Sequence, residues 1–327
     1  MDKISVVGGA GFIGTALCRL LARAGQEFEI IDLVPSASFP RQSRIADIRD
    51  MAALSDSLSG QIIVHLAAAH RDDLRDPQDY LRTNVDGTRN LCRLAIQRGI
   101  ERIVFTSSVA VYGAAAPRSD ETAPLAPNTP YGNSKAQAEQ VLRDWQAASA
   151  GSLTVIRPAV VFGEGNRGNV HRLLAQIDAN EFVMVGDGAN AKSMAYVGNV
   201  AAFLFAALGQ RPGLAIYNYA DGPDMTMAEL VGYARHRLLG RQGTGPRISH
   251  ALGLTLGRLA DRLARATGRG VPIHAARIEK FCAETTFVRG ADLPGFTPPF
   301  TLEQGLDRML LAEFGQDEQP MAMLAAE

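Results

Sequence analysis

Ile4-Ser5-Val6-Val7-Gly8-Gly9-Ala10-Gly11-Phe12-Ile13-Gly14 is the stretch that decides the fold. A short apolar run enters a glycine-rich turn, and Ala16, Leu17, Leu20 and Leu21 then recur at helical spacing. Strand, tight turn and helix in that order give each glycine a task. Gly8 makes the turn, Gly11 lets the backbone approach a pyrophosphate, Gly14 lets helix and strand pack closely, and the helix N-terminus faces the anion. A glycine turn alone is a weak signal. Asp32 sharpens it, because it closes the next apolar run, Phe28-Glu29-Ile30-Ile31. An acid there would hydrogen-bond an adenosine ribose diol and repel a 2′-phosphate, so NAD is expected rather than NADP.

Further along, Ile62-Ile63-Val64 leads into His65-Leu66-Ala67-Ala68, whose small residues let backbone approach a cofactor; His65 equally fits a core histidine. Asn84 to Asn90 opens a helix, and Arg102-Ile103-Val104-Phe105 is a strand delivering Thr106-Ser107-Ser108. Helical and strand patterns alternate throughout, which implies an α/β fold with a doubly wound parallel sheet. Tyr131 and Lys135 are four apart, on one face of a helix. A free phenol, with a pKa of about 10, is a poor base at neutral pH, but a neighbouring ammonium favours the phenolate. Alone, the pair is an ordinary helical neighbour. Behind a dinucleotide turn it reads as the proton-transfer group of a redox enzyme.

The composition excludes other classes. With 33 basic against 34 acidic residues, the 327-residue chain is neither a nucleic-acid arm nor an acidic tail, and its length supports one large or two medium domains. Cys18, Cys92 and Cys282 stand far apart among apolar neighbours, as reduced core thiols do, and offer no metal spacing. The first strand begins almost at Met1, so a cytoplasmic protein is expected. The apolar stretch 194–208 is too short to span a bilayer and reads as a strand end followed by a buried helix.

The glycine spacing, Ser108, Tyr131-Gly132-Asn133-Ser134-Lys135 and Ile156-Arg157-Pro158-Ala159-Val160-Val161-Phe162-Gly163 together resemble the extended short-chain dehydrogenase/reductases, specifically the NAD-dependent epimerase/dehydratase family. The resemblance covers essentially the whole chain. It implies a Rossmann-type domain with a smaller C-terminal substrate-binding domain, bound NAD and a homodimer. By that resemblance Ser108, Tyr131 and Lys135 are catalytic. Gly8, Gly11, Phe12, Ile13, Gly14, Asp32, Asp47, Ile48, Leu66, Ala67, Ala68, Asn84, Thr106, Pro158 and Val160, with Tyr131 and Lys135, surround the cofactor; Asp47 also fits a helix cap. Arg71, Ser108, Val109, Arg167, Asn169 and Lys192 would face a sugar diphosphate, Lys192 standing where similar enzymes carry an arginine that grips it.

A narrower likeness lies in His70-Arg71-Asp72-Asp73, Asn166 to Val170, Lys192 to Asn199, Tyr217-Asn218-Tyr219 and Lys280-Phe281-Cys282-Ala283. These runs resemble bacterial 4-epimerases of N-acetylglucosamine carried on undecaprenyl diphosphate, used in surface-polysaccharide assembly. Dehydratases of the family place an acidic pair directly after the hydroxyl residue; Val109 and Ala110 stand there, which disfavours elimination. Asp32 argues against an NADPH-consuming reductase, so epimerisation is expected, with a UDP-sugar 4-epimerase or a 4-keto-sugar reductase as alternatives. Arg289-Gly290-Ala291-Asp292 lies too near the Pro294-Gly295-Phe296 turn to be the counterpart of a uridine-side Arg-x-Gly-Asp segment.

Residues 241–280 carry eight basic residues against Asp261 and Glu279. On a helix, Arg258, Arg262, Arg265 and Arg269 form one stripe, and Leu252, Leu256, Leu259 and Leu263 another about a third of a turn away. Such a helix either lies at a membrane interface, giving peripheral contact through 252–269 at the inner face of the cytoplasmic membrane, or packs its leucines inward; Gly253 and Gly257 weaken its start. The expected division is a cofactor domain at 1–165 plus about 190–209, a substrate domain at 166–189 and 210–315, and a mobile tail at 316–327.

Overall fold

The computed structural model describes residues 2–70, 76–113, 118–209, 213–267, 275–290 and 292–315, with the backbone alone for 265–267. The expected tail, 316–327, lies outside them. The chain forms two compact units: Met1–Val161 with Met194–Asp221 and Phe287–Thr301, and Phe162–Ser193 with Gly222–Thr286 and the segment from Leu302.

The first unit is built on a seven-stranded sheet whose order is Gly213–Tyr219, Ser152–Pro158, Arg102–Thr106, Ile62–His65, Ile4–Val7, Phe28–Asp32, Ser43–Ile45. All its pairings are parallel. Strand order reverses beside Ile4–Val7, with Ile4 opposite Phe28 on one side and Ile62 on the other. This is the doubly wound fold expected, and its crevice lies at the carboxyl ends of those strands. Alternation sorts the strand residues onto two faces. Val6, Ile30, Val64, Val104 and Ile156 pack with Leu17 and Leu21 of helix Phe12–Arg23 and with Phe203 and Leu204 of helix Val197–Ala207. Val7, Ile31, Ile63, Ile103, Phe105 and Val155 pack with Leu91 and Ala95 of helix Gly87–Gln97 and with Ala138, Leu142 and Trp145 of helix Pro130–Ser149.

Strand Gly213–Tyr219 departs from the expected division. Read from sequence it fell in the substrate domain; it lies parallel to Ser152–Pro158, Gly213 opposite Ser152, as an edge of the first sheet. Leu293 and Phe296 join the same core, so 287–301 also belongs to the first unit.

In the second unit, helices Asn169–Asp178, Met227–Leu239 and Leu302–Phe314 pack together. Thr226 and Glu229 cap the second of these reciprocally, and Tyr233 and Arg237 both donate to Asp307 of the third. Strands Met184–Val185 and Arg247–Ile248 pair in parallel, and helices His250–Thr267 and Ala275–Cys282 complete the unit.

Candidate active site

Gly8 sits at φ 87°, and a Cβ there would lie 2.4 Å from the Ala67 amide nitrogen, so only glycine suits the turn. Leu66 and Ala67 both donate their amides to the Val7 carbonyl, which draws the 66–68 segment against the glycine turn. Helix Phe12–Arg23 starts at Gly11 with no side chain capping it. A side chain at Gly11 would meet only the Gly8 carbonyl, at 3.3 Å, and otherwise open space. Asp32 accepts from the Ala10 amide at 3.0 Å and from the Leu33 amide at 2.7 Å, which fixes its carboxylate at the strand end beside the turn.

Asp47 does not cap the next helix; Asp50 does, accepting from the Ala52 and Ala53 amides. Asp47 instead grips Arg49, whose guanidinium holds the carboxyl below its ordinary range. Ile48 is buried against Gly87, so its side chain is core and only its backbone could touch a cofactor.

Asn84 lies in a π-helical turn, Leu81–Asp86, and is buried. Its amide bonds both the N–H and the C=O of Ala69 and donates to the Ser134 hydroxyl, which donates to the Tyr131 carbonyl. One side chain thereby ties the segment after strand Ile62–His65 to the start of helix Pro130–Ser149. His65 is buried, with Nε2 2.9 Å from the Thr88 hydroxyl. That hydroxyl donates to the Asn84 carbonyl, so Nε2 carries the proton. Burial first, and Lys135 second, push its pKa down to about 3, leaving it neutral.

Thr129 caps helix Pro130–Ser149 by accepting from the Gly132 amide. A Cβ on Gly132 would lie 2.3 Å from the Ala110 carbonyl, so the turn Val109–Tyr112 rests directly on the helix between Tyr131 and Lys135. Tyr131 is half-buried, its ring centroid 6.3 Å from that of Tyr80. Lys135 is buried, with Nζ 4.2 Å from the Phe105 ring centroid. Burial pushes its pKa down to about 7, and the Glu139 carboxylate opposes that.

Two adjacent serines follow strand Arg102–Thr106, and their partners separate them. Ser107 donates a hydrogen bond to buried Glu139 at 2.6 Å. Ser108, half-buried, accepts from the Ala110 amide and keeps its own O–H to donate. Val109 is half-buried beside it. Thr106 is buried with its hydroxyl unpartnered, and Val160, just beyond buried Pro158, is an exposed apolar side chain.

Sequence reading missed the support beneath this edge. Glu139 accepts from Arg157 Nε at 2.9 Å and Nη2 at 2.6 Å, both side chains fully buried. Arg157 Nη1 donates to the Tyr112 hydroxyl, which donates to Asn218. The Asn218 backbone N–H donates to Glu121, which also accepts from the Gly290 backbone N–H. Glu139 falls one helical turn past Lys135, which is the signal that could have found it.

The substrate candidates are dispersed. Arg71 lies outside the described residues. Arg167, Asn169 and Lys192 belong to the second unit. Arg167 is exposed and pairs with Glu313 at 3.1 Å, its Nη1 2.6 Å from His171. Asn169 is exposed in the first turn of its helix. Lys192 donates to the Lys280 and Ala283 carbonyls and the Thr285 hydroxyl, at the end of helix Ala275–Cys282. Burial pushes its pKa down.

The first unit fits a nicotinamide dinucleotide: an uncapped helix start behind a close glycine turn, a fixed acid at the second strand end, and an unpartnered buried Thr106 hydroxyl. The sequence profile of the NAD dependent epimerase/dehydratase family matches residues 4–220. The N-acetyl-α-D-glucosaminyl-diphospho-ditrans,octacis-undecaprenol 4-epimerase of Escherichia coli O157:H7 is 43% identical over 320 residues, 96% of each chain. The UDP-N-acetylglucosamine 4-epimerase structure from Bacillus cereus superposes with a TM-score of 0.73 at 17% identity, covering 96% of this chain and 100% of that one. MoeE5 in complex with UDP-glucose and NAD superposes with a TM-score of 0.72 at 24% identity, covering 94% and 97%.

Proposed function

Because the chain belongs to the NAD dependent epimerase/dehydratase family, we propose that it is an NAD-dependent 4-epimerase of N-acetylhexosamine carried on undecaprenyl diphosphate, serving surface-polysaccharide synthesis. The observation that carries this reading is the 43% identity, over 96% of both chains, to an enzyme named for that substrate. The absence of a uridine-side Arg-x-Gly-Asp counterpart in the sequence and the engagement of Lys192, on strand Ala191–Tyr196, with the carbonyls that end helix Ala275–Cys282 favour the lipid carrier over UDP.

The residues divide the work. Bound NAD would supply the acceptor, and then the donor, for a hydride at the sugar carbon. Gly8 and Gly11 admit its pyrophosphate to the helix start, Asp32 takes the adenosine ribose diol, and the 66–68 backbone flanks it. Tyr131 Oη removes the proton of the 4-hydroxyl, while Ser108 Oγ donates a hydrogen bond to the same oxygen. Lys135 Nζ takes the nicotinamide ribose and, when charged, favours the Tyr131 phenolate. Turning of the 4-keto-sugar before the hydride returns inverts the centre, and Tyr131 gives the proton back. Val109 and Ala110 supply no acid or base for loss of water.

The second unit serves as the substrate domain, with Arg167 and Asn169 as diphosphate ligands; Arg167 would exchange Glu313 for the substrate. The enzyme acts as a homodimer through helices Gly87–Gln97 and Pro130–Ser149, where Ile96 is exposed, and works in the cytoplasm at the inner membrane face. The test is product analysis of the purified protein without added cofactor, on undecaprenyl-diphosphate N-acetylglucosamine and on UDP-N-acetylglucosamine. Conversion of the lipid-linked sugar alone to its galacto epimer is expected. Conversion of the UDP-sugar alone overturns the carrier, and net NADH consumption overturns epimerisation.

A further inference from the structure

Helix His250–Thr267 presents three faces. Gly253 and Gly257 are buried: a Cβ on the first would lie 2.6 Å from Val185 Cγ1, and on the second 2.9 Å from Ala275 Cα. The helix therefore packs against its own unit through glycine and the partly buried Ala260 and Ala264. Whatever the glycines cost in helix propensity, they make the close approach. The leucines do not pack inward. Leu252, Leu256, Leu259 and Leu263 are 48%, 48%, 52% and 54% exposed. On the wheel their row stands roughly a third of a turn from the glycine face, and Arg258 and Arg262, both exposed, stand roughly a third of a turn beyond it. The side chain of Arg265, and Arg269 altogether, lie outside the described residues.

We propose that this leucine row is the surface by which the enzyme docks on an anionic lipid bilayer, the leucines entering the acyl boundary and Arg258 and Arg262 meeting head-group phosphates. Two observations select a membrane over a second copy of the chain. The row is regular, four leucines within 12 residues along roughly 17 Å of helix, and it runs beside cations rather than inside a polar rim. The basic excess is also local: 241–280 holds eight Arg and Lys against two acids in a chain whose net charge is −1. An acidic protein body bearing one basic, leucine-edged helix is attracted to anionic lipid in a single orientation. The purpose of this docking, though not its geometry, rests on the lipid-linked substrate proposed above.

The test is flotation of the full-length protein with vesicles of phosphatidylcholine alone and of equal parts phosphatidylcholine and phosphatidylglycerol. Binding to the second only, weakening with salt, is expected. Leu256→Ser with Leu259→Ser should lower it at least tenfold, as should Arg258→Glu with Arg262→Glu, with unfolding midpoints unchanged because all four side chains are exposed. Equal binding to both vesicles, or a leucine variant that floats like the parent, refutes the proposal. So does a leucine variant that changes self-association in the absence of lipid, which would assign the row to a second copy. Turnover of a short, water-soluble prenyl diphosphate carrying the same sugar keeps the two readings apart. Variants that lose vesicle binding but turn it over normally support docking. A parent that binds vesicles yet converts neither carrier leaves docking standing and sinks the epimerase.

Discussion

Glu139→Gln tests whether the buried network beneath the catalytic edge sustains both stability and chemistry. Glu139 and Arg157 are each 1% exposed at the side chain, 2.6 Å apart, and the same carboxylate accepts a hydrogen bond from the Ser107 hydroxyl. Glutamine keeps the shape and one acceptor but leaves the guanidinium buried without a counter-charge. Breaking such a pair costs about 3–5 kcal/mol, and the retained hydrogen bonds place this variant near the lower end. Trp145, the single tryptophan, is buried on the same helix, so its fluorescence during urea unfolding reports on this unit alone. Replacing Arg157 by Met as well removes the stranded charge, and the double variant should be at least roughly 2 kcal/mol more stable than the sum of the singles. The chemistry has its own sign. Glu139 favours the charged form of Lys135, so without it the lysine pKa falls below about 7, fewer molecules carry the ammonium at neutral pH, and the Tyr131 phenolate is less favoured. The rising limb of kcat should therefore move to higher pH. A loss under roughly 1 kcal/mol, or simple additivity, would falsify the structural half of the argument; an unmoved limb refutes the catalytic half.

Gly132→Ala puts a methyl 2.3 Å from the Ala110 carbonyl and must displace the turn carrying Ser108; kcat should fall roughly 10²-fold with KM little changed, in steady-state assays. Tyr131→Phe should lower kcat roughly 10²–10⁴-fold while NAD binding by calorimetry is retained. Asp32→Ala should weaken NAD and improve NADP, narrowing the ratio of their dissociation constants, because the fixed carboxylate no longer repels a 2′-phosphate. Folding lowers the Lys135 pKa from 10.5 to about 7, so the unfolded chain binds more protons between those values and the cofactor-free protein should gain stability as pH rises through that window. Lys135→Met should flatten that rise in urea unfolding measured at each pH.

What the sequence disclosed and what it hid divide along a physical line. The glycine turn, Asp32 and the Tyr131–Lys135 pair were legible because each answers to a local rule: a positive φ, a strand end, a helical period. Strand Gly213–Tyr219 was not, since its place beside Ser152–Pro158 depends on a pairing across some sixty residues that no local pattern announces. Glu139 was hidden for a different reason. A glutamate on a helix is ordinarily solvated, and only the arrival of Arg157 from the next strand makes it a buried counter-charge. Lys192 shows the reverse case, a cation whose local sequence suggests phosphate and whose ammonium donates to the carbonyls ending helix Ala275–Cys282, a partnership no local pattern announces. The leucine row of helix His250–Thr267 was visible as a period, but whether it faced inward or outward was not. That depended on Gly253 and Gly257, which read only as weakening the helix start and also form the packing face. Once glycine takes the inward side, the leucines are left on the solvent side with the arginines, the placement that an anionic lipid surface can use.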